Sequence, residues 1–197
     1  GYYPGAKVMT MKVVFEKDTW KLLGAQIVGT EGVDKRLDVL ATAMHAGMKA
    51  NMLKDLDLAY APPFSSAKDP VNMAGFMIEN IRNGFMKQYH WDEIAGLPRD
   101  GSVTLLDTRT AYEYKSGHID GYINIPVDDL RERMNEIDDS KPVYVICQSG
   151  LRSYIACRIL TQNGFDCYNF SGGYRFYASV IHEKQMSECT YPCGMEK

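Results

Sequence analysis

Between residues 8 and 16, apolar and polar side chains alternate. Met9, Met11 and Val13 fall on one face and Val8, Thr10 and Lys12 on the other, which predicts a strand. After the polar turn Lys17-Asp18-Thr19, the run 21–28 predicts a second strand. The period then lengthens. Val33, Leu37, Leu40 and Met44 recur at helical spacing, so residues 33–49 predict an amphipathic helix. Beyond the stop Ala61-Pro62-Pro63, a further helix is predicted over about 71–82. This half of the chain reads as α+β.

The second half has a different rhythm. Short apolar runs at 103–107, 123–125, 143–147 and 166–170 alternate with helical segments at 110–115, 128–137, 153–162 and 174–184. Such alternation predicts an α/β domain with a mostly parallel sheet covered by helices. The boundary falls within Asn83-Gly84-Phe85-Met86-Lys87-Gln88, giving domains of 1–85 and 86–197. His90 and Trp91 read as packing residues at the start of the second domain.

Composition narrows the class. Net charge is −3 over 197 residues, with no Lys/Arg block, which argues against nucleic acid as a partner. No apolar run is long enough for a membrane span, and no signal peptide is visible. The five cysteines are 147, 157, 167, 189 and 193, an odd number without framework spacing, so a reducing, cytoplasmic setting is expected. Cys189 and Cys193 lack a second ligand pair, so no metal site is expected, and a resolving role toward Cys147 is the minor alternative to a non-functional terminus. Cys157 reads as helix packing and Cys167 as core.

The candidate chemistry lies at Cys147-Gln148-Ser149-Gly150-Leu151-Arg152-Ser153, directly after the apolar run Pro142–Ile146. A cysteine at a strand's C-terminal end, just before a helix, meets unpaired N–H groups and a partial positive charge that favour the thiolate. Arg152 adds a permanent charge. Only the four residues Gln148 to Leu151 separate cysteine from arginine, one fewer than in Cys-dependent phosphatases. The smaller ring suits a thiolate carrying one extra sulfur better than it suits a phosphate. A buried core cysteine followed by a surface arginine is the competing reading.

This loop resembles the active loop of rhodanese-type sulfurtransferases. Asp107-Thr108-Arg109, then Gly117-His118-Ile119-Asp120-Gly121-Tyr122-Ile123-Asn124-Ile125-Pro126, and the turn Ser171-Gly172-Gly173-Tyr174 resemble the other signatures of that family. The resemblance implies Cys147 as the sulfur carrier with Arg152 beside it. Gln148, Ser149, Gly150, Leu151 and Ser153 would form the binding loop, and Asp107 and Arg109 would organise the loop or its mouth. Partners would be sulfane-sulfur donors and thiol acceptors. His118 reads as a structural histidine rather than a general base, and Ile119, Ile123 and Ile125 as core-facing.

The first half resembles the dimerisation domain of pyridine nucleotide–disulfide oxidoreductases, in the coenzyme A disulfide reductase branch. The stretches that carry this are Tyr2-Tyr3-Pro4-Gly5, Gly32–Leu40, Tyr60-Ala61-Pro62-Pro63-Phe64-Ser65 and Lys68-Asp69-Pro70-Val71-Asn72. The leading Gly1 reads as a cleavage scar, so the chain is expected to be the C-terminal part of a reductase–rhodanese fusion, missing its flavin and nucleotide domains. The resemblance implies a homodimer in which Tyr60, with Tyr2 or Tyr3, serves a coenzyme A thiolate. Tyr60 as a cap on the core before two prolines is the alternative. No Gly-x-Gly-x-x-Gly segment occurs here, so no cofactor is expected in this chain, while FAD, NAD(P)H and coenzyme A are implied for the intact protein. Lys35 and Arg36 read as an exposed helix face or, less simply, as phosphate partners. A non-catalytic rhodanese-like binding and dimerisation module, and a small phosphatase or arsenate reductase, are the other functional readings.

Overall fold

The structure is a computed structural model that describes residues 3–189. The chain divides into two compact units, Gly1–Gly84 and Phe85–Lys197. No helix among the described residues is long and apolar enough to cross a membrane.

In the first unit, β1 (Met9–Phe15) and β2 (Leu22–Gly29) form an antiparallel hairpin. The alternation of β1 turns Met9, Met11, Val13 and Phe15 onto a core built around Leu22, Leu40, Leu53 and Val71. Trp20 closes the hairpin at a φ of 66°, in the left-handed region, and the Arg82 guanidinium lies 3.7 Å from its ring centre. α1 (Val33–His45) stops four residues before the sequence pattern does. Gly47 takes a φ of 70° there, and Gly47 N and Met48 N donate back to Met44 O and Ala43 O, which terminates the helix. A 3-10 turn, Ala50–Asp55, which the apolar periodicity does not reveal, fills the gap before α2 (Pro70–Arg82).

The start of α2 organises this unit. Asp69 is its N-cap, Pro70 follows in the first turn, and Asn72 completes a capping box by accepting from Asp69 N. The Asn72 amide also donates to Leu53 O and Leu56 O at 3.0 and 2.9 Å, stapling the 3-10 turn to the helix. Gly75 packs so closely on that turn that a Cβ would press into the backbone of Leu53 and Lys54. Arg36, expected at the surface, is buried. Its Nε and Nη2 meet Asp69 Oδ2 at 3.0 and 2.9 Å, and its Nη1 donates to Gly32 O. The residue faces inward because a capping carboxylate already sits in the interior and needs a cation.

The second unit is α/β, with five parallel strands in the order β3-β7-β6-β4-β5. They are β3 (Lys87–Tyr89), β4 (Thr104–Asp107), β5 (Ile123–Asn124), β6 (Val143–Ile146) and β7 (Cys167–Phe170). Their helices are α3 (Ala111–Lys115), α4 (Leu130–Arg133), α5 (Leu151–Gln162) and α6 (Gly173–Cys189). α4 is one short turn continued by a 3-10 turn, Met134–Glu136, rather than the long helix the pattern predicts. β3 comes from residues read as linker. It is polar and three residues long, and Tyr89 anchors it beneath Phe170 and Tyr144. Ile123 is 45% exposed rather than core-facing, because β5 is an edge strand of two residues. His90 is exposed, whereas Trp91 packs on the cluster around Tyr89 and Ile146. Leu106, Val143, Val145, Ala156 and Leu160 form the core between the sheet and α5.

Truncating Asp69 would leave the buried Arg36 charge unpaired. Asp69→Ala should therefore cost about 3–5 kcal/mol in urea unfolding, beyond the roughly 1 kcal/mol of a lost N-cap. Asp69→Asn keeps a capping oxygen but no charge and should still lose most of that amount. An asparagine variant as stable as the parent would show that the cap alone, not the ion pair, matters.

Candidate active site

β6 ends at Ile146 and α5 begins at Leu151, so Cys147 to Gly150 form the whole connection between a buried strand and a helix N-terminus. The apolar run that makes β6 a central strand therefore also delivers Cys147 to the C-terminal edge of the sheet, with its side chain covered to 1% exposure. Gly150 caps α5 at a φ of 106°, and in that geometry its N–H donates to Cys147 Sγ at 3.1 Å. Ser153, buried in the first turn of α5, places Oγ 3.2 Å from the same sulfur and 3.1 Å from Gly150 O. Its single proton serves one acceptor at a time, and a charged sulfur is the stronger.

The other side of the loop is held by α6. Tyr174 N donates to Cys147 O at 2.8 Å and Arg175 N to Gln148 O at 3.2 Å, so the first turn of the helix takes up the loop's carbonyls. Gly173 sits directly against the loop with a φ of 71°, and a Cβ there would lie 2.5 Å from Ser149 N and 2.6 Å from Gln148 C. This explains the glycine pair in Ser171-Gly172-Gly173-Tyr174. From β7, the Asn169 amide reaches Gly150 O at 3.4 Å and Met86 Sδ at 3.2 Å, while its Oδ1 is buried without a partner among the described residues.

Asp107 and Arg109 lie in the interior, bound to each other through the Nε–Nη2 edge of the guanidinium at 2.7–3.0 Å. Arg109 Nη2 also donates to Gly117 O, and its guanidinium stacks 3.8 Å from the centre of the Tyr174 ring. Between them, Thr108 N and Oγ donate to Ile146 O, next to Cys147. These residues are buried beneath the loop and are not open to a ligand. His118 is exposed, stacked on Tyr114 with Nδ1 3.1 Å from Tyr114 O, as a structural histidine would be.

Arg152 does not turn to the sulfur. Its Nη1 and Nη2 each meet a carboxylate oxygen of Glu113 at 2.7 Å. Glu113 also accepts from Thr110 N and Oγ, and Arg152, ahead of those contacts, draws its acid down to about 2. Glu113 escaped the sequence reading. The pattern Thr110-x-x-Glu113 marks a capping box, but nothing local links it to an arginine 39 residues away.

Cys147, Gly150 and Ser153 thus converge on one sulfur. Gln148 and Ser149 contribute backbone to the contact with α6, and Leu151 is 63% exposed at the rim. Tyr60 belongs to the first unit, where it is 55% exposed and does not cap the core. Tyr2 and Cys193 lie outside the described residues, as does the side chain of Cys189. Cys157 and Cys167 are buried, and a mutual hydrogen bond together with burial pushes the Cys157 thiol far up, as for inert core cysteines. The crevice at the C-terminal ends of the parallel strands is filled by the Cys147 loop pressed on Gly173, so the site does not fit FAD or NAD(P)H.

Comparison with known proteins agrees with this division. Residues 90–179 match the rhodanese-like domain, and residues 1–71 match the pyridine nucleotide-disulphide oxidoreductase dimerisation domain. Coenzyme A disulfide reductase of Staphylococcus epidermidis is 46% identical over 76 residues, 39% of this chain and 17% of that protein. Among solved structures, reduced Bacillus anthracis CoADR-RHD is 46% identical with a TM-score of 0.89, over 93% of this chain and 33% of that one. A NAD-dependent persulfide reductase from A. fulgidus is 40% identical with a TM-score of 0.78, over 89% of this chain and 31% of that one. The chain thus spans about a third of these solved relatives and less of the curated ones. By its two consecutive domains, the chain belongs with the fusions that join a pyridine nucleotide–disulphide oxidoreductase dimerisation domain of the coenzyme A disulfide reductase kind to a rhodanese-like domain.

Proposed function

We propose that Cys147 carries sulfur as a persulfide, in the rhodanese-type sulfurtransferase domain of a coenzyme A disulfide, persulfide or polysulfide reductase. The observation that carries this reading is the pair of donors, Gly150 N–H and Ser153 Oγ–H, on one cysteine sulfur at the start of α5. Donors fixed in this way stabilise negative charge on sulfur without reorganising when it develops. Cys147 attacks a sulfane sulfur and takes it up as the outer atom of a persulfide, and the N–H groups from Gln148 to Ser153 cradle that atom. A thiol acceptor then removes it. Resemblance to a persulfide reductase over 89% of this chain supports the same chemistry.

In this reading residues 1–85 supply dimerisation and residues 86–197 sulfur transfer, within a homodimer. FAD, NAD(P)H and coenzyme A are cofactors of the longer cytoplasmic protein, with the flavin and nucleotide held in its other domains. Tyr60, exposed on its turn with Phe64, would present its hydroxyl to a leaving thiolate of coenzyme A, with Tyr3 or Tyr2 as companion. A binding module without catalysis has less in its favour, because it requires neither Cys147 nor its two donors.

Mass spectrometry after exposure to a persulfide donor should find one added sulfur atom on Cys147, with sulfur transfer abolished in Cys147→Ala. Full transfer by that variant would reject the assignment. Gly173→Ala, which forces the loop away from α6, should lower sulfur transfer by about tenfold or more while the sheet stays folded by circular dichroism. Unchanged transfer would mean that the contact with α6 does not set the loop's geometry.

A further inference from the structure

Arg152 is the one guanidinium within the sulfur loop, and its terminal nitrogens are both taken by Glu113. Glu113 is itself fixed from behind as the third helical residue of the capping box on α3, accepting from Thr110 N and Oγ at 2.9 Å. The fork that would grip an oxyanion is therefore already filled by a carboxylate anchored to another element. The chain neighbours of the two partners, Tyr112 and Leu151, are 81% and 63% exposed.

We propose that Glu113 determines donor specificity, cancelling the charge of Arg152 so that the Cys147 loop takes sulfur from organic persulfides in preference to thiosulfate and other dianionic donors. This rests on the sulfur-transfer reading above. With an organic persulfide R–S–SH, the Cys147 thiolate attacks the outer sulfur. The donor's S–S bond breaks, its electron pair leaves as R–S⁻, and the proton stays on the transferred sulfur as Cys147–S–SH. With thiosulfate, the same attack yields Cys147–S–S⁻ and releases sulfite. No oxidant or reductant is consumed in either case. The donors differ in what the mouth must hold. Thiosulfate brings two negative charges beside a thiolate and keeps them on its leaving group, whereas an organic persulfide brings at most one. An unpaired Arg152 would compensate the dianion, but an Arg152 neutralised by Glu113 does not.

Glu113→Gln separates charge from architecture, since glutamine serves equally as the capping-box acceptor. Using the full chain, kcat/KM would be measured for thiosulfate and for ethyl persulfide, a donor with no charged group besides its sulfur. The ratio of thiosulfate to persulfide transfer should rise by about tenfold or more in Glu113→Gln, chiefly through a lower KM for thiosulfate that climbs again with added salt. Glu113→Asp, which keeps the charge, should retain a ratio close to the parent's. An unchanged ratio in Glu113→Gln, or an equal rise in Glu113→Asp, overturns the inference. If Cys147 takes sulfur from neither donor, the sulfur-transfer reading itself fails. Adducts from both donors with a ratio indifferent to residue 113 defeat only the assignment of Glu113.

Discussion

The second unit depends on which way a short stretch of backbone faces. A loop that is to stabilise charge on sulfur must turn N–H groups inward, and its carbonyls then need partners elsewhere. Here α6 provides them, through Tyr174 N to Cys147 O and Arg175 N to Gln148 O. That arrangement requires the helix end to approach within van der Waals contact, which is why position 173 has no room for a Cβ. Gly150 completes the turn from the opposite side by adopting a conformation that side chains resist. Strand β6, helices α5 and α6 and two glycines are thus linked by one hydrogen-bonding constraint.

Three of the four arginine–carboxylate pairs among the described residues differ in burial and so in role. Arg36–Asp69 and Arg109–Asp107 are sealed in their cores, where loss of either partner would strand a charge. Each ties chain segments together, the first by holding α1 to the cap of α2 and the second by bracing the end of β4 and the Tyr174 ring. Arg152–Glu113 is about a third exposed, a setting in which an ion pair adds little stability. Its significance lies in where it puts charge.

Features encoded in contiguous residues were legible in the sequence. The hairpin followed from alternation in β1, the parallel sheet from alternating strand and helix, and the strand–loop–helix setting of Cys147 from the apolar run before it. What depended on distant partners was not. Arg36 lies on an amphipathic helix and reads as surface until Asp69, 33 residues on, is seen to be interior. Strand β3 has too few residues to show a period, and only its place beside β7 makes it a strand. Glu113 looked like a helix cap and is one, while its second partner is visible only in three dimensions.

The burial of Cys147 has a consequence for reagent shape. A cysteine at 1% exposure is reached only by the narrow tip of an incoming molecule. The outer sulfur of a persulfide or polysulfide chain is such a tip, since it carries no carbon. A disulfide carries carbon on both sulfurs and meets the opening broadside. On the sulfur-transfer reading, the covered sulfur would act as a width gauge that favours unbranched sulfur over disulfides with carbon on both atoms.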